Sequence, residues 1–153
     1  ILFLFWSITL VGRKIMGITN PSQLNEGQTW VLMGAGLVGS LAYTFSDSFW
    51  FSAVEAEVYS MSAFFTALVV WMVLKWEVIE DDAKANRWLI LLAYMVGLSI
   101  GFHLLNLLTL PALGLIYYFK KYKPSRWGII TAMAISGGLV LFINDFIIPG
   151  LPS

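Results

Sequence analysis

From Trp88 to Phe119 the chain carries no Asp, Glu, Lys or Arg. That uncharged run limits what the chain can fold into. As a single straight helix it would be about 48 Å long at ~1.5 Å per residue, well beyond a hydrocarbon core of about 30 Å. The run must therefore break, and the charges elsewhere say how. All nine Lys and Arg residues are Arg13, Lys14, Lys75, Lys84, Arg87, Lys120, Lys121, Lys123 and Arg126. If the run folds as two limbs turning near His103 to Pro111, the segments alternate so that every one of them lies on one side. A single kinked helix would leave four of them on the other. By the positive-inside rule the hairpin is the reading, with the Lys/Arg-rich loops cytoplasmic.

Composition agrees with a lipid-embedded chain. Of its 153 residues, 59% are hydrophobic and only 12% charged, where soluble domains carry about 25% charged residues. The mean hydropathy is +0.80. The formal net charge is zero, which argues against a nucleic-acid partner. Cysteine is absent, so disulfides, thiol nucleophiles and thiolate metal sites are excluded.

The fold expected is all-α: a polytopic transmembrane helical bundle of about six spans, near residues 1–12, 30–45, 58–74, 88–103, 106–119 and 127–148, in a single transmembrane domain over 1–153. The first span reads as truncated, because the chain opens at Ile1 within an apolar run with no basic segment before it, and the chain reads as part of a longer protein. Between Ile15 and Gln28, the residues Gly17, Asn20, Pro21, Asn25 and Gly27 are turn chemistry. Gly34, Gly36, Gly39 and Ser40 offer a neighbouring helix a close approach, as do Gly97 and Gly101, and Gly137 and Gly138. Trp30, Trp76, Trp88 and Trp127 read as an aromatic belt at the basic side. The short limbs around His103 are expected to floor a recess on the opposite side, since irregular backbone at depth must be covered by protein or line a wet cavity.

Polar groups concentrate on that opposite side. Ser46 to Tyr59 carries Asp47, Glu55 and Glu57 beside Phe49, Trp50 and Phe51. Carboxylates near membrane depth are costly and mark functional sites, although an interfacial segment with anchoring aromatics and solvated acids has the same composition. If 52–59 is helical, Ser52, Glu55 and Tyr59 share a face, while Glu57 points roughly 200° from Glu55. The two glutamates then cannot chelate one ion together. Ser99, His103 and Asn106 have the spacing of one helical face, with donors suited to a phosphate or a sugar hydroxyl. A lone histidine at a helix end also serves as a hydrogen-bonded structural residue. With one His in the chain, a His-rich metal site is excluded. Phosphate-binding glycine loops and hydrolase or zinc-protease motifs are absent from the sequence.

Two stretches taken together, Phe45-Ser46-Asp47-Ser48-Phe49-Trp50-Phe51-Ser52-Ala53-Val54-Glu55-Ala56-Glu57-Val58-Tyr59 and Gly97-Leu98-Ser99-Ile100-Gly101-Phe102-His103-Leu104-Leu105-Asn106-Leu107-Leu108, resemble the bacterial domain-of-unknown-function 2723 membrane family. That family is grouped with the GT-C glycosyltransferases and related to transmembrane protein O-mannosyltransferases. The resemblance spans nearly the whole chain. It implies a GT-C-like enzyme of the bacterial cytoplasmic membrane that passes a sugar, with mannose as one candidate, from a polyprenyl-phosphate donor to a protein hydroxyl on the extracytoplasmic face. The lipid bilayer, the lipid-linked sugar and a protein acceptor are the implied partners. No cofactor is certain beyond the donor itself, and a divalent metal is left open.

In such enzymes an acid in the first outer loop is the base, within a Trp-Asp-x-Gly-Glu-Phe-like motif that this sequence does not contain. The expectation is that the motif lies upstream of Ile1. The resemblance then assigns Asp47, Glu55 and Glu57 to a second outer loop, as catalytic candidates at most, and Trp50, Tyr59, His103 and Asn106 to substrate binding. A transporter or channel subunit and a non-catalytic scaffold are the competing functions. A transporter predicts polar residues through both halves of the spans, whereas the halves nearer the basic side are almost wholly apolar.

Overall fold

A computed structural model describes residues 1–54 and 59–150. Among them every regular element is helical. The chain divides into two compact units, Ile1–His103 and Leu104–Ser153.

The first unit begins with α1 (Leu2–Ile15). Its end is chemically marked. The Ile18 amide donates to the Arg13 carbonyl and the Gly17 amide to the Lys14 carbonyl, with Gly17 at φ +71°. This is the Schellman arrangement, in which glycine accepts the left-handed conformation and the last free carbonyls are satisfied. A short 3-10 turn over Pro21–Gln23 follows.

Helix α2 (Glu26–Thr44) starts ahead of the expected residue 30 because of a capping box. Asn25 accepts from the Gln28 amide at 2.8 Å, and Gln28 accepts from the Asn25 amide at 3.1 Å. Helix α3 (Asp47–Val54) is eight residues within a stretch expected to be a loop. Helix α4 (Tyr59–Glu77) comes next, then α5 (Asp82–Phe102). The charged segment before Trp88, expected to be a solvated loop, is the opening of α5. Asp81 caps it by accepting from the Ala83 and Lys84 amides at 2.9 and 3.2 Å.

Packing orders these helices. α1 lies against both α2 and α4, α4 lies against both α1 and α5, and α3 touches α2 and α4. The spatial order of the long helices is therefore α2, α1, α4, α5. The glycine approach predicted for α2 is realised at two positions. A methyl at Gly36 would sit 2.8 Å from the Phe5 ring and 2.9 Å from Thr9, and one at Gly39 would sit 2.7 Å from Ile8. Gly34 meets open space. The α1–α4 seam is aromatic, with Phe3 at 5.8 Å from Phe64 and 5.3 Å from Trp71. Val69, Met72, Val73 and Trp76 of α4 form the buried centre with Leu92 and Val96 of α5.

Two expectations are corrected here. Trp76 is only 1% exposed and is a core residue, since α4 lies between α1 and α5 and shows neither a full face to lipid nor one to water. Gly97 and Gly101 are exposed, with nothing within 4 Å of where a side chain would begin, so no described helix of the first unit rests on them. Gly137 and Gly138 likewise meet nothing within 4 Å.

In the second unit, a 3-10 segment Leu104–Leu108 leads into α6 (Thr109–Lys121), which packs on α7 (Arg126–Phe142). Pro111 falls in the first turn of α6, where its missing N–H costs nothing. The α6–α7 connection is held by Tyr118, whose hydroxyl donates to the Lys123 carbonyl at 3.0 Å and accepts from the Ser125 amide at 3.1 Å. A π turn over Ile143–Ile147 and a last turn, α8 (Ile148–Gly150), continue α7.

Among the described residues, three helical stretches are long and apolar enough to cross a membrane: Tyr59–Glu77, Asp82–Phe102 and Arg126–Gly150. α6, with 13 residues, reaches only about 20 Å.

Candidate functional site

The first unit has two chemically different ends. α1 and α4 finish together, joined by an ion pair between Lys14 and Glu77, and α5 begins there, so Arg13, Lys14, Lys75, Lys84 and Arg87 share that end. The other end gathers the close of α2, all of α3, the start of α4 and the close of α5. It holds the aromatic and hydroxyl-bearing residues.

α3 is set at this second end by local chemistry. The Ser46 hydroxyl accepts from the Phe49 amide at 3.3 Å, and Asp47 lies in the first turn, where a carboxylate complements the helix dipole. One face of α3 turns inward, placing Phe49 5.2 Å from the Tyr43 ring. Its other face, with Trp50, Phe51 and Val54, is exposed.

Beneath α3 lies a cavity of about 710 Å³, lined by Phe3, Leu4 and Ser7 of α1, Tyr43 of α2, Phe49 and Ala53 of α3, and Tyr59, Ser60, Ser62 and Thr66 of α4 among others. Its size falls within the ~300–1,000 Å³ typical of small-molecule sites. Its walls are apolar with scattered hydroxyls. The Ser7 hydroxyl is buried behind the cavity surface and has no hydrogen-bond partner among the described residues, an uncommon state for a buried polar group. Tyr59 closes the cavity from α4 and lies 5.5 Å from the His103 ring.

The residues singled out in sequence fare differently. Tyr59 lines the cavity, and His103 stands against Tyr59. Asp47 and Trp50 are on α3 and exposed; neither lines the cavity. Glu55 and Glu57, and with them the expected Ser52–Glu55–Tyr59 face, lie outside the described residues. The expected face of Ser99, His103 and Asn106 is not continuous. α5 ends at Phe102, and His103 is extended at φ −154° and ψ 126°, so the helical register stops before Asn106. Ser99 spends its hydroxyl within α5, donating to the Val96 carbonyl at 2.7 Å. Asn106 belongs to the second unit, where it is 3% exposed and its carbonyl accepts from the Thr109 hydroxyl at 2.7 Å. Among the described residues, no three acids or histidines are grouped closely enough to hold one ion.

Sequence reasoning missed Ser7, Tyr43, Ser60, Ser62 and Thr66. The signal was present in part, since Ser62 and Thr66 are one turn apart and Ser7 interrupts the apolar opening of α1. Nothing in the sequence tells that α1 and α4 would bring them to one cavity.

A chain of apolar helices with polar chemistry gathered at helix ends and an apolar, hydroxyl-dotted cavity is a membrane-embedded helical protein. The family model of the protein O-mannosyl-transferase TMEM260 N-terminal domain matches residues 1–126. The chain belongs to that family. No curated protein and no solved structure matches it.

Proposed function

We propose that the chain is the part of a GT-C-like membrane glycosyltransferase, of about six spans in one transmembrane domain, that transfers a sugar from a polyprenyl-phosphate donor to a protein hydroxyl on the extracytoplasmic face. In this reading the membrane is a bacterial cytoplasmic one with the Lys/Arg-rich loops inside, which the resemblance to the bacterial domain-of-unknown-function 2723 family and the positive-inside rule support. The family name supports a mannosyl donor. The observation that carries the reading is the cavity at the end of the first unit away from its basic residues, closed by Tyr59 and backed by His103.

The chemistry suits such a place. Transfer from a lipid phosphate needs a base for the acceptor hydroxyl, donors for the leaving phosphate and apolar walls for the carrier. In this reading Tyr59 and His103 supply hydroxyl and imidazole contacts to sugar or phosphate. Trp50 gives a face on which a sugar ring stacks. Asp47, Glu55 and Glu57 form the acidic segment that shapes the acceptor approach.

The test is transfer itself. Membrane vesicles containing the whole enzyme of which this chain is proposed to be part are given radiolabelled mannosyl-phosphoryl-polyprenol and a Ser/Thr-rich acceptor protein. Label should appear on the acceptor and fall at least threefold in the Tyr59→Phe variant at equal protein level, the loss of about one hydrogen bond's worth of stabilisation. Label that never exceeds the level of vesicles lacking the protein would sink the reading.

A further inference from the structure

At the opposite end of the first unit, a second cavity, of about 460 Å³, lies between the end of α1, the turn that follows it and the loop after α4. Its wall is made by the Gly17 reversal, which folds Ile18 to Pro21 back across the end of α1. The charges lining it are unequal in their pairing. Lys14 is taken by Glu77. Arg13 is half-buried and Glu80 is exposed, and neither has an ion-pair or hydrogen-bond partner among the described residues. The cavity thus presents one open guanidinium and one open carboxylate, with Thr19 and Asn20 also on its lining.

A helix end can use a cation to complement its dipole, and Lys14 in the same turn already does so. Dipole complementation does not require Arg13 to be drawn into a cavity, and half-burial of an unpaired guanidinium is costly. A planar guanidinium matches phosphate oxygens bidentately. The cavity lies where the helices of a membrane protein end, the level of lipid headgroups. A simple anion would satisfy Arg13 but meet Glu80 repulsively, and a simple cation would do the reverse. Only a ligand carrying both signs uses both.

We infer that this cavity binds a phosphoethanolamine group, its phosphate on Arg13 and its ammonium on Glu80, supplied either as the headgroup of a membrane phospholipid or as the free soluble ester. The site is separate from the candidate transfer site, at the other end of α1 and α4.

Native mass spectrometry of the purified protein with phosphatidylethanolamine or phosphatidylglycerol reads this directly. Wild type should retain phosphatidylethanolamine in preference to phosphatidylglycerol. Arg13→Gln should weaken phosphatidylethanolamine binding about tenfold, as expected for losing a charge-assisted contact. Glu80→Gln should keep phosphate binding yet lose the preference between the two lipids. Glu80 belongs to a loop, so that variant does not depend on the integrity of α1, and Lys84→Gln, with equal charge loss outside the cavity, should bind as wild type does. Competition by millimolar O-phosphoethanolamine marks the soluble ester as the source, and its failure to compete marks the lipid. Equal retention of the two lipids by wild type, or unchanged binding in both Arg13→Gln and Glu80→Gln, overturns the proposal.

Discussion

At the scale of single residues, Ser7 is the most informative side chain in the first unit. A serine in an apolar helix normally returns its hydroxyl to the preceding turn, as Ser40 and Ser136 do to the carbonyls of Leu37 and Ala132. Ser7 does not, and its oxygen is left buried without a partner among the described residues. Leaving a buried hydroxyl unsatisfied costs about 1–3 kcal/mol, whereas replacing it by a group of similar shape and no polarity removes that cost. Ser7→Ala should therefore leave the thermal midpoint in detergent unchanged or raise it. A lowered midpoint would show that Ser7 is an ordinary packing residue. Tyr59 contrasts with it: sequence position already singled it out, because it closes the Ser46 to Tyr59 stretch, whereas the role of Ser7 depends on which helix faces it.

At the scale of elements, long apolar helices were legible because lipid solubility demands them, and their ends were less so because a few hydrogen bonds decide them. The residues between 80 and 87 read as a loop by charge, yet Asp81 caps a helix through them. Asn25 and Gln28 extend α2 by a turn in the same way. α3 is short enough that no periodicity announces it, and its signal is confined to Ser46 and Asp47. A close approach of some helix to α2 was legible as a stripe of small residues, but neither which helix nor which of those residues would be used. Gly36 faces the Phe5 ring and Gly34 faces nothing, a difference of rotation that only the partner helix defines. Gly36→Val should accordingly cost about 1–3 kcal/mol by overpacking. Gly34→Ala should stabilise α2 by about 0.5–1 kcal/mol through helix propensity. Paired thermal unfolding of the two variants in one detergent checks the sign of each. Equal effects would mean that α1 does not rest on Gly36.

At the scale of the whole molecule, the proposed orientation rests on charge alone. Loops carrying Lys and Arg stay in the cytoplasm because translocating them is disfavoured, and in the first unit Arg13, Lys14, Lys75, Lys84 and Arg87 share the end opposite α3. The chain has no cysteine, so a single introduced thiol reports its own side without interference. Ser48→Cys, exposed on α3, should react with a membrane-impermeant maleimide in intact cells. Asn86→Cys, exposed near the start of α5, should react only after the membrane is opened. Lys123→Cys, exposed in the α6–α7 connection, should behave like Asn86→Cys if the charge rule orders the second unit as it orders the first. The three positions separate the competing arrangements. A hairpin between α5 and α6 returns residue 123 to the side of residue 86, whereas a continuous crossing sends it to the side of residue 48. Labelling of Lys123→Cys in intact cells would therefore remove the hairpin and with it the six-span count. Labelling of Ser48→Cys only in opened cells would put the cavity beneath α3 on the cytoplasmic side, where a transfer reaction on the extracytoplasmic face has no use for it.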